Sequence, residues 1–137
     1  MTLQGLSTAK ACGLAAYGCV LWGAAALTVR HAGPACYNTD LGKTLMMVAA
    51  VPGSYILVRS VDKLFPLSSK ERLAAVTLVT ASALIMDGLA VTGFPSIYEN
   101  ESLKAKNVDL ARSIARDGTG WVFFGAGVGL AIALVIS

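Results

Sequence analysis

The sequence predicts an all-α integral membrane protein, a four-helix bundle in a single domain over residues 1–137. Three observations predict it. Only 14% of the residues are charged, whereas soluble domains carry about 25%. Mean hydropathy is +0.67. The apolar residues gather into four runs, with basic and turn-forming residues between them. A helix rises about 1.5 Å per residue, so roughly 20 apolar residues cross a hydrocarbon core of about 30 Å, and each run approaches that length.

The first run, Ala11 to Val29, has 19 uncharged residues, follows a polar lead ending at Lys10, and is closed by Arg30 and His31. It exceeds the apolar region of a signal peptide, about 7–15 residues, so it reads as a retained span. Ala15, Cys19 and Gly23 recur every fourth residue and form a small-residue packing face. Arg30 to Lys43 reads as a loop containing Gly33, Pro34, Asn38 and Asp40. Thr44 to Val58 is the second run. It reaches spanning length if Leu41 and Gly42 join it and Lys43 and Arg59 snorkel. Pro52 and Gly53 interrupt it. They mark either a kinked packing helix or a helix break that lines a ligand site.

Arg59 to Arg72 is a basic loop turning at Pro66 and Ser68–Ser69. Leu73 to Phe94 is the third run, stopped by Pro95. Its one formal charge is Asp87. An ionised Asp near a span centre costs roughly 2.5–3.5 kcal/mol, so this residue is expected to face other helices. Gly88 and Gly93 would let another backbone approach. From Glu99 to Asp117, Leu103, Leu110 and Ile114 fall at helical spacing among Lys104, Lys106, Arg112 and Arg116. That pattern predicts a short amphipathic helix on the membrane surface between the third and fourth spans, or a stem leading into the fourth. Gly118 to Ser137 is the fourth run, with Trp121 as an interfacial anchor. Gly125, Gly129 and Ala133 make a GxxxG-type ridge for contacts within the bundle.

Four spans put both termini on one side and Asp87 toward the side of the first and third loops. Arg30 is the expected partner there, because its fork matches a carboxylate. Trp121, an indole N–H donor, and then His31 are the next candidates. Arg59 and Arg72 lie at the opposite face. Two readings of Asp87 follow: a buried ion pair that sets the register of helices one and three, or a protonatable carboxylate in a transport or binding path. Five Lys and Arg residues on the terminal side face six on the other. The short, basic second loop favours termini inside.

Several chemistries have no residues to carry them. There is no glycine-rich turn for a nucleotide, no metal-ligand spacing around the single His31, no Ser–His–acid arrangement and no CxxC. Cys12 and Cys19 share a helix face about 10 Å apart, too far to bond, and read as packing residues, while Cys36 lies in a loop as a free thiol with no neighbouring residue that argues for reactivity. The chain is therefore expected not to be an enzyme and to hold no cofactor or metal. Without a basic stripe and interleaved aromatics, nucleic acid is not an expected partner.

The pairs Tyr17-Gly18 and Leu21-Trp22, then Arg30 and Gly33, are followed by Met86-Asp87-Gly88-Leu89, Phe94-Pro95 and Gly120-Trp121. In these the chain resembles a family of small, uncharacterised four-span bacterial membrane proteins. The resemblance implies topology and no activity. The connection from Glu99 to Asp117 is longer than that family has, which suggests an added surface for a partner. The expected role is a non-catalytic structural or accessory subunit in the lipid bilayer, packing against other membrane proteins or itself. The alternative is a small transporter or ligand-binding bundle using Asp87 with the break at Pro52.

Overall fold

The computed structural model describes residues 5–137 and is all-α. Helix α1 spans Thr8–Cys36, α2 Asp40–Leu64, α3 Ser69–Gly93, α4 Glu101–Lys104 and α5 Val108–Ile136, with a 3-10 turn at Pro95–Ile97. The long helices α1, α2, α3 and α5 are each long and apolar enough to cross a membrane, which suggests a multi-pass membrane protein. Lys10 on α1 reaches Glu71 and the Pro66 carbonyl, and Arg72 donates to the Ile136 carbonyl. The start of α1, the α2–α3 connection and the end of α5 therefore share one end of the bundle.

Each helix starts where a short polar side chain can take up its free backbone N–H groups. Ser7 accepts from the Lys10 N–H at 3.3 Å, Thr39 from Gly42 at 3.1 Å, Asn100 from Leu103 at 3.0 Å and Asn107 from Leu110 at 3.0 Å. At α3 the Glu71 carboxylate reaches back to the Ser68 N–H at 2.9 Å. Asp40, Glu71, Glu101 and Asp109 put negative charge in first turns, where the helix dipole favours it.

Two prolines lie inside helices. The loop expected over Arg30 to Lys43 is largely helix, because α1 continues through Pro34 to Cys36. Pro34 has no N–H for the Arg30 carbonyl. The Asn100 side chain supplies the missing donor at 3.0 Å. The second proline, Pro52, lies with Gly53 inside α2, which runs through both as one continuous helix rather than two half-helices.

Of the two readings of the amphipathic segment, a helix lying on the surface and a stem leading into the fourth span, the structure has the stem. Only Glu101–Lys104 forms a separate turn of helix, and residues from Val108 onward are the first turns of α5. Ile114 is buried against α1, where its Cγ2 lies 2.9 Å from a methyl placed on Gly33. The apolar spacing of Leu110 and Ile114 thus serves the bundle, while Arg112 and Arg116 point outward.

Packing is uneven. Helix α1 packs closely on α3, and α2 packs closely on α5, but α2 makes few contacts with α1 or α3. At Gly18 the α1 backbone comes so close to α3 that an added methyl would run into the Val79 carbonyl and lie 3.0 Å from the Ser82 Cβ. Leu6, Leu14, Val58, Val61, Ala75, Val76, Val79 and Ala133 form the core at the terminal end. Ala26, Val29, Ala90, Tyr98 and Ala115 form a second core at the other end.

Candidate functional site

Asp87 is completely buried in the second half of α3. Its Oδ1 accepts a hydrogen bond from the Trp22 indole N–H at 2.9 Å and another from the Tyr98 hydroxyl. The Trp22 N–H also lies 2.9 Å from the Tyr98 oxygen. Three side chains from α1, α3 and the segment after the 3-10 turn thus close one polar knot. Among the described residues no cation pairs with Asp87, and its Oδ2 has no hydrogen-bond partner.

Backbone geometry brings Tyr98 there. Pro95 ends α3, with Phe94 leaving helical geometry at φ −141° and ψ 57°, and the turn that follows sends the chain back over the helix it has just left. Tyr98 is 2% exposed, packed against Ala26, Val29 and Ala115. Burial first, then its hydrogen bond to Asp87, push the Tyr98 hydroxyl above its ordinary range, so it keeps its proton and acts as a donor. Next to it, Glu99 is also buried and pairs with Lys104 at 2.6 Å and Arg112 at 3.9 Å. Asn100 then ties the segment to α1 through the Arg30 carbonyl.

The expected partners of Asp87 lie elsewhere. Arg30 pairs with Glu101 at 3.5 Å, in a partly exposed contact. It sits on α1 a little over two turns, or about 12 Å of rise, beyond Trp22. His31 is exposed beside it. Trp121 donates its N–H to the Met46 carbonyl of α2 at 2.8 Å. The residues that sequence reasoning missed are Trp22 and Tyr98. Trp22 carries the same kind of donor as Trp121. The signal for it was the parallel course of α1 and α3, which puts the middle of one beside the middle of the other.

The packing residues divide as well. Gly125 and Gly129 face α2. The Ser54 hydroxyl donates to the Gly125 carbonyl at 2.9 Å, and a methyl on Gly129 would lie 4.0 Å from the Ser54 Cβ. Ala133 is fully buried. On α1 the close approach belongs to Gly18 rather than to Cys19 or Gly23. Cys19 is half-buried, and a methyl on Gly23 would meet nothing within 4 Å.

Between α2 and the α1/α3 pair, backed by α5, lies a cleft of about 360 Å³. Leu21, Ala50, Gly53, Leu57, Val79 and Ala126 are among its walls, and both indoles, Trp22 and Trp121, line it. Trp22 therefore has two faces: its N–H closes the knot around Asp87, and its ring carbons wall the cleft.

No family model, curated protein or solved structure matches the chain. The resemblance to four-span bacterial membrane proteins rests on its motif residues alone. Of these, Gly18, Trp22, Asp87 and Pro95 are the ones that the fold brings to the α1–α3 interface and the knot.

Proposed function

We propose that this chain is a small non-catalytic membrane component, a structural or accessory subunit that packs against other membrane proteins or against copies of itself. The observation that carries the proposal is the sealing of Asp87. Its side chain is 0% exposed and both donors to it come from the chain's own helices and turn. A carboxylate that moves protons or binds a polar solute needs a path to water. One enclosed by an indole and a buried tyrosine instead fixes how α1, α3 and the following turn fit together. The bundle also carries large apolar side chains outward on α2 and α5, including Val48, Ile56, Phe123 and Val135.

The test is the mass of the particle extracted from its native membrane in mild detergent, with the co-purifying chains identified. A discrete assembly several times the 14.1 kDa of the chain is the expected result. A lone chain would sink the proposal. Flux that depends on pH and disappears in Asp87→Asn would put a transporter in its place.

A further inference from the structure

We propose that the cleft between α2 and the α1/α3 pair is a binding site for one hydrocarbon chain of a membrane phospholipid. The site does not depend on whether the bundle is an accessory subunit. Its lining is almost wholly apolar. Among the described residues, Ser54 and Thr80 are its only hydroxyl-bearing ones, and the Ser54 hydroxyl is engaged by the Gly125 carbonyl. Both indole N–H groups point into other bonds, Trp22 toward Asp87 and Trp121 toward Met46, so the cleft meets ring carbon. A water needs two to four polar partners, and this lining cannot supply them for a filled cavity. Left empty, the walls would lose their dispersion contacts.

The surroundings and the size select the occupant. Ile56 and Leu57 form an exposed rim, 65% and 45% accessible, on a helix long and apolar enough to cross a membrane. What bathes that rim in a bilayer is lipid hydrocarbon. A volume of about 360 Å³ lies near the lower end of the roughly 300–1,000 Å³ of ligand sites, and a helix about 10–12 Å across would not enter it. A single slender chain fits, with its polar head left outside at the membrane surface.

The only tryptophans of the chain are the two in this lining, so the protein carries its own probes. The full chain would be reconstituted in phosphatidylcholine vesicles whose acyl chains bear bromine, which quenches indole fluorescence on contact. Strong quenching relative to unbrominated vesicles is expected. Gly53→Leu and Ala126→Leu, made separately, place a side chain into the space; a methyl on Gly53 meets nothing within 4 Å. In variants that keep the helicity of the parent, most of the quenching should be lost. An unquenched parent, or quenching unchanged in a folded leucine variant, overturns the site. If neither variant keeps that helicity, native mass spectrometry of the parent decides. One retained phospholipid per chain supports the site, and bare chains overturn it. These readings are separate from the assembly mass, so either proposal can fail alone.

Discussion

Helix α1 meets its two neighbours in opposite ways. Toward α3 it is closed: Gly18 lies against the Val79 carbonyl, and a turn higher Trp22 bonds Asp87. Toward α2 it stands back, leaving a cleft walled by carbon. In a bilayer the surrounding medium is as apolar as the side chains, so order has to come from closer contact. Lipid offers little hydrophobic drive for helices to associate, so contacts need small residues that let backbones touch, or polar groups that have no other partner. The α1–α3 interface has both. The facing surfaces of α1 and α2 share one hydrogen bond near the terminal end, Tyr17 to Ser60 at 2.8 Å, and little above it.

Breaking the closed side should have the largest effect. Asp87→Ala strands the Tyr98 hydroxyl proton and leaves a small void, while Trp22 keeps the Tyr98 oxygen as acceptor. The expected loss is about 2–4 kcal/mol, read from unfolding in detergent. Asp87→Asn, which keeps an acceptor, should lose less. Equal losses in the two variants would mean that neither the shape nor a neutral acceptor suffices and that the knot needs the carboxylate itself. Gly18→Ala comes next, at about 1–3 kcal/mol, because the Val79 backbone cannot yield to the new methyl. Thermal unfolding that is unchanged in this variant would show that the close approach is not made.

Tyr98 and Tyr37 are both buried and both held above the ordinary tyrosine range, Tyr37 chiefly by burial. In the unfolded chain they ionise near pH 10, so their contribution to stability should be level below about pH 10 and fall above it as the unfolded state sheds protons that the fold retains. Tyr98→Phe should shrink that fall and leave the share of Tyr37. A fall of undiminished size would separate Tyr98 from the effect.

On the open side the sign reverses. Gly53→Ala should be neutral or stabilising by up to about 1 kcal/mol, since the methyl meets nothing within 4 Å and alanine is the better helix former. A clear destabilisation would mean that the cleft is narrower than described. Smallest of all is Arg30→Gln. Its partner Glu101 lies at 3.5 Å with a side chain 62% exposed, and such surface pairs contribute about 0–1 kcal/mol. A cost comparable to Asp87→Ala would restore Arg30 as the partner of Asp87.

The four apolar runs were legible because their length and lack of charge are local properties, and each long helix contains its run apart from an end residue or two. Their ends were less legible. Hydropathy marks where charge begins, whereas the helices continue into charged sequence when a cap or a packed face supports them, as α1 does through Pro34 and α5 does from Asn107. Asp87 stood out as the single carboxylate in an apolar run. Its partners did not, because topology offers Arg30 as the natural counter-charge, while the groups that reach Asp87 are uncharged donors borne by aromatic rings.

Four membrane-length helices, and one carboxylate drawn inside them, follow from composition along single stretches of the chain. The enclosure of that carboxylate by Trp22 and Tyr98, the close contact at Gly18 rather than Gly23, and the open cleft beside α2 arise only when the helices pack. Those outcomes depend on helix register, on rotation about each axis and on the turn after Pro95. These are relations between segments distant in sequence, and no single segment encodes them.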